Sequence, residues 1–115
     1  MDNQLNENHK QVKWYHFIFA FLSGVFLINT LPHFINGIIG HNFPTPFANP
    51  PGKGLSTPTL NILWALINFS FGYLFLTLGQ VCRHRKFIFI TFLIGCLLMA
   101  FYLASYFGNL FANNQ

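Results

Sequence analysis

An all-α membrane protein with three transmembrane helices is the fold class this chain predicts, and three observations carry that expectation. After Glu7 there is no Asp or Glu as far as Gln115. Charged residues make up only 7% of the 115 residues and hydrophobic ones 53%, well short of the charge that a water-exposed surface of this size needs. The apolar residues are gathered into long runs, divided by one Pro/Gly-rich loop and one basic cluster. A bilayer removes the demand for surface charge, because side chains facing lipid meet no water. At this length the chain forms a single membrane domain, residues 1–115.

Residues 1–13 read as a polar N-terminal tail ending in Lys10 and Lys13. The uncharged run that follows, Trp14 to Leu31, is 18 residues long, ~27 Å as a helix and at the lower bound for a span. It is longer than a signal-peptide core, and no small-x-small cleavage site follows it, so a retained helix is expected. Residues 33–40, HFINGIIG, are also free of carboxylate, Lys and Arg. The first span is therefore expected over 14–40, kinked at Pro32, with a break at Pro32 as the alternative. Proline removes the donor for the Ile28 carbonyl, and Asn29 and Thr30 are close enough in sequence to replace it.

Between His41 and Pro58 lie five of the six prolines, with Gly52 and Gly54. That composition predicts an outer loop over 41–57 with neither helix nor strand. Phe43 and Phe47 are expected to anchor it by packing on the bundle or the interface. Thr57 caps the next helix and Pro58 takes its first position, where a missing N–H costs nothing. The second span is expected over 58–81, a turn over 82–86 carrying Arg83-His84-Arg85-Lys86, the third span over 87–108, and a neutral tail over 109–115. So short a turn predicts that the second and third spans form an antiparallel hairpin.

The +4 net charge belongs to short flanks of apolar runs, which excludes the continuous basic face of a nucleic-acid binder. Lys10, Lys13, Arg83, Arg85 and Lys86 flank one side and Lys53 the other. The positive-inside rule then puts the N-terminus and the 82–86 turn in the cytoplasm, and the loop and the C-terminus outside. Cys82 and Cys96 have neither metal-ligand spacing nor the pattern of a disulfide framework and are expected to be small packing residues.

Polar side chains within the spans are the informative ones. Asn29, His33, Asn36 and Gly40 share one face of the first helix; Asn61, Ala65, Asn68, Gly72 and Gly79 share one face of the second. Thr91, Gly95, Tyr102, Tyr106 and Asn109 do so on the third, beside a small-residue ridge of Cys96, Ala100, Ala104 and Gly108. Asn29, His33, Asn36, Asn61 and Asn68 all fall toward the outer ends of their helices. They are expected either to hydrogen-bond across helices or to line an outward-facing polar pocket, with the outer loop folded over them. The small-residue ridge is expected to serve helix packing within the chain or between copies.

The segment N-x-x-P-H-F-x-x-G-x-x-G-x-x-F-P-T-P-F from Asn29 to Phe47 precedes P-P-G-x-G-L-S-T-P at Pro50–Pro58 and N-x-x-W-x-x-x-N at Asn61–Asn68. Together these resemble a group of small, uncharacterised bacterial inner-membrane proteins. The resemblance implies a location and no activity.

No nucleophile motif, metal-ligand set or catalytic constellation is present in the sequence, so no catalytic residue, metal or other cofactor is expected. A haem within one copy would want axial ligands from different helices, and the second and third spans contain no His, Met99 being the one alternative. A proton-coupled carrier would want a membrane carboxylate, and His33 is the one titratable substitute. The expectation is a non-enzymatic membrane component that associates with itself or with another membrane protein. The alternative is a small-molecule binding or transport module built on the Asn/His pocket.

Overall fold

The computed structural model describes residues 11–113. The expected features at Asp2, Glu7, His9 and Lys10, most of the polar N-terminal tail, and the last two residues of the neutral tail lie outside the described residues. Helix α1 spans Trp14–Ile38, α2 Pro58–Leu78 and α3 Lys86–Asn113, and two short strands, β1 (Phe43–Pro44) and β2 (Leu55–Ser56), lie between α1 and α2. All three helices are long and apolar enough to cross a membrane. With 25, 21 and 28 residues they measure ~38, ~32 and ~42 Å, against a hydrocarbon core of about 30 Å.

Each helix end has a local cause. Helix α1 runs through Pro32 without a break and stops at Ile38, two residues short of the expectation. Gly40 adopts φ +78° there, His41 N–H donates to Asn36 O at 2.9 Å, and Gly40 N–H donates to Gly37 O at 3.2 Å. This is a Schellman motif, which needs a left-handed residue just past the cap. Helix α2 starts as expected, with Thr57 Oγ1 accepting from Leu60 N–H at 3.3 Å and Pro58 in the first turn. It ends at Leu78 rather than Val81 because a second Schellman motif closes it, with Val81 N–H on Leu76 O at 3.1 Å. Gln80, not a glycine, takes the left-handed position with φ +51°. Helix α3 passes through Gly108 and five residues beyond. Gly108 costs a helix only about 1 kcal/mol, and Phe111 continues the helix to pack on Phe107 and Phe43, with centroids 6.1 and 5.8 Å away.

Helix α1 is the hub. It packs extensively on α2 and on α3, whereas α2 and α3 have at most marginal contact with each other. The short turn of residues 82–86 does not make α2 and α3 a packed pair, because both turn their buried faces to α1. Against α3 the approach is very close: a methyl on Gly24 would lie 2.7 Å from the Cys96 backbone N, and one on Gly95 would collide with the Phe21 carbonyl.

The loop between α1 and α2 also departs from the expectation. Its two ends pair as a minimal antiparallel ribbon, Phe43 opposite Ser56 and Pro44 opposite Leu55. Proline is tolerated in such a ribbon because both strands are edges and one missing donor breaks no ladder. Thr45 Oγ1 and Ser56 Oγ bond across the ribbon, and both side chains are buried. Phe47 N–H donates to Thr45 Oγ1 at 3.2 Å, and Gly52 N–H to Thr45 O at 2.9 Å. The segment is thus compact and seated on the bundle.

Candidate functional site: a polar seam under the loop between α1 and α2

The expected stripe on α2 is its buried face: Asn61, Ala65, Asn68 and Gly72 are the buried residues of that helix. Across from them α1 presents His33, Asn29 and Ser23, and the antiparallel register makes three polar rungs. His33 Nδ1 and Asn61 Oδ1 are 2.9 Å apart. Asn29 Nδ2 donates to Asn68 Oδ1 at 2.9 Å, and Asn68 Nδ2 is taken up by Trp64 O at 2.8 Å. Ser23 Oγ donates to Gly72 O at 2.8 Å.

Asn61 is the joint between seam and loop. Fully buried, its amide nitrogen faces Phe43 O at 2.9 Å, Ser56 O at 3.2 Å and Thr57 O at 3.0 Å. One side chain therefore ties together α1, both strands of the ribbon and the α2 cap. Since the carboxamide oxygen of Asn61 can only accept, His33 donates through Nδ1. The His33 ring is 3% exposed and boxed by aromatic edges, with Phe43, Trp64 and Phe107 centroids at 5.4, 6.3 and 6.5 Å. Both expected loop anchors are seated: Phe43 against Phe107 at 4.6 Å and Phe47 edge-on to Trp64 at 5.2 Å. Helix α3 also holds the loop, through Tyr106 OH donating to Gly52 O at 2.7 Å.

Four of the five expected pocket residues, Asn29, His33, Asn61 and Asn68, are brought together. Asn36 is not. It is half-buried, donates to its own helix at Pro32 O (2.8 Å), and borders a different groove, next to Ala100 and Ala104. Nor do Asn29 and Thr30 serve the carbonyl freed by Pro32: Asn29 is engaged by Asn68, and Thr30 Oγ1 donates to Phe26 O at 3.0 Å. Gly40 is exposed and serves the helix end. On the third helix only Gly95 of the expected stripe is buried; Tyr102 and Asn109 are exposed. Along the ridge, Cys96 is half-buried beside Gly24, but Ala100, Ala104 and Gly108 are exposed, and a methyl on Gly108 would meet nothing within 4 Å. Cys82, expected to pack, is exposed.

Beside the seam, Asn29 and His33 line an open cleft of ≈ 210 Å³ with Trp64, Tyr102, Tyr106 and Phe107. Its chemistry is aromatic and hydrogen-bonding, without a carboxylate. Among the described residues, no group of three His, Cys, Asp or Glu is placed to hold a metal ion. Sequence reasoning missed Ser23 and the Thr45–Ser56 pair, and it named Tyr106 on a face of the third helix without its bond to the loop. It gave no hydrogen-bond partner for His16, which is buried and accepts from Lys13 N–H through Nδ1 at 3.0 Å.

Comparison with family models, with curated proteins and with solved structures gives no match.

Proposed function

We propose that this chain is a non-enzymatic integral membrane protein that associates through helix α3 with a second membrane-embedded helix, from its own copy or another protein. The carrying observation is the contrast along α3. It is the most apolar of the three helices and the least covered by the rest of the chain. Its inner half docks on α1 through Gly95, while Ala100, Ala104 and Gly108 of its outer half are exposed. Small residues on a membrane helix allow close backbone approach. Ala100 and Ala104 flank a groove of ≈ 360 Å³ whose far side is Leu31, Pro32 and Asn36. A bend of α1 at Pro32 would set the width of that groove. The charge asymmetry of the flanks and the sequence resemblance support an inner-membrane location, with the 82–86 turn cytoplasmic and the outer loop and C-terminus outside.

Because Ala100 and Ala104 are exposed within one chain, Ala100→Leu and Ala104→Leu should leave its own melting temperature unchanged. They should instead reduce association at least several-fold, read by energy transfer between labelled copies in vesicles and by co-purification from native membranes. Unchanged association would assign the face to lipid and sink this reading.

A second reading is favoured by the cleft beside His33: a small aromatic or hydrogen-bonding ligand bound by Asn29, His33 and Trp64. Quenching of Trp64 fluorescence by such a ligand, lost in His33→Ala at unchanged fold, would support it. A saturable signal that survives His33→Ala would place the ligand elsewhere.

A further inference from the structure

The opposite end of the bundle carries a cluster that the polar seam does not involve. Among the described residues, Nη1 and Nη2 of Arg85 are the buried side-chain polar atoms without a hydrogen-bond partner. A guanidinium offers five donors, accepts nothing and keeps its charge, so burying one unpaired is costly unless an anion meets it. No described side chain can supply that anion, since the chain's two carboxylate side chains are Asp2 and Glu7.

Arg85 lines a cavity of ≈ 330 Å³ together with His84 and Lys86, both exposed, and with the apolar Val12, Phe17, Phe87 and Ile88. The cavity opens at the start of α3. Phe89 N–H donates to Arg85 O at 2.9 Å, and Arg85 N–H to Cys82 O at 3.0 Å, which holds the turn in place. The first turn of α3 contains no acidic residue, although its free N–H groups and the helix dipole favour negative charge there.

We propose that this cavity binds the phosphate of an anionic phospholipid. Nη1 and Nη2 are covered in this structure, so the Arg85 side chain turns into the cavity on binding, and its fork then takes two phosphate oxygens, a geometry for which a guanidinium is suited and an ammonium is not. Lys86 and His84 close the polar rim, and Val12, Phe17 and Ile88 receive the glycerol and the first methylenes of the acyl chains. Two features favour a lipid over a free phosphate ion. Much of the lining is apolar, which an inorganic ion cannot use, and the cavity lies beside the start of α3, where a membrane-crossing helix would reach the headgroups.

The test is lipid retention by the full-length, delipidated chain in mild detergent, read by native mass spectrometry during titration with phosphatidylglycerol or phosphatidylcholine. One phosphatidylglycerol should bind at least tenfold more tightly than phosphatidylcholine. Arg85→Gln should lose at least tenfold, Arg85→Lys should fall between, and Arg83→Gln, an exposed neighbour in the same turn, should stay within twofold. If Arg85→Gln fails to fold, the paired rim variant His84→Gln/Lys86→Gln should still show a several-fold loss. Equal losses from Arg83→Gln and Arg85→Gln would reduce the effect to general surface charge and overturn the site. So would full retention by Arg85→Gln, or displacement of the lipid by inorganic phosphate at matching concentration. Binding seen only after Asp2→Asn/Glu7→Gln would show that the tail's own carboxylates hold Arg85, and would overturn it equally.

Discussion

The two seams of α1 solve the same problem in different ways. Toward α2 it is joined by side-chain hydrogen bonds, at His33–Asn61, Asn29–Asn68 and Ser23–Gly72. Toward α3 it is joined by backbone proximity at Gly24 and Gly95, and no side-chain hydrogen bond links the two helices among the described residues. In lipid there is little hydrophobic force between helices, so packing contacts and interhelical hydrogen bonds are the available sources of cohesion. A polar seam fixes register, because each rung has one partner. A glycine seam fixes distance, and leaves the C-terminal half of α3 to be tied by the loop through Tyr106 and Phe107.

The glycine seam is the more sensitive of the two. Gly95→Leu inserts a side chain where even a methyl collides with the Phe21 carbonyl, and it should cost about 3 kcal/mol through overpacking. Thermal unfolding in detergent should show the loss, with α3 becoming the first segment cut by protease. An unchanged melting temperature would mean that the close approach does not hold the seam. At the polar seam, Asn61→Ala strands His33 and the Phe43 and Ser56 carbonyls together and should cost about 2 kcal/mol. Its distinguishing sign is local: the loop should become sensitive to trypsin at the exposed Lys53. Resistance at Lys53 equal to wild type would show that the loop is held by its aromatic anchors alone. The smallest effect sharpens the contrast: a double-mutant cycle on Asn29→Ala and Asn68→Ala should return a coupling of about 0.6 kcal/mol, the usual value for an interhelical hydrogen bond in a membrane. A coupling of zero would make that rung incidental.

What the sequence showed and what it hid follow the same division. The buried face of α2 was legible because Asn61, Ala65, Asn68 and Gly72 are polar or small against an apolar background and recur at the helical period. Thr57-Pro58 and the two loop phenylalanines were legible because their physics is local. Ser23 was not, since a hydroxyl in a membrane helix can satisfy itself on its own preceding turn, as Ser70, Thr77 and Thr91 do here. Only the three-dimensional partner tells the cases apart. Asn36 misled for the same reason, lying on the expected face yet bonded to Pro32 O. The turn of residues 82–86 did not reveal the neighbour of α3, because a short connection constrains ends rather than faces. A stripe such as Ala100–Ala104–Gly108 looks alike whether it meets a helix or lipid. Arg85 read as one positive charge among several; that its Nη1 and Nη2 are buried is a property of the folded turn.

Placing the hub helix earliest along the chain has a consequence for biogenesis. Chains are made N-terminal segment first, so α1 is in place before either helix that packs on it. When α2 enters the bilayer, its asparagines find their partners waiting, and α3 then needs nothing from α2 beyond the turn that delivers it. Only the polar face of α1 must wait, and only for the length of one loop. The order of synthesis and the order of assembly coincide, and no later span has to hold an unsatisfied polar group in lipid while its partner is still being made.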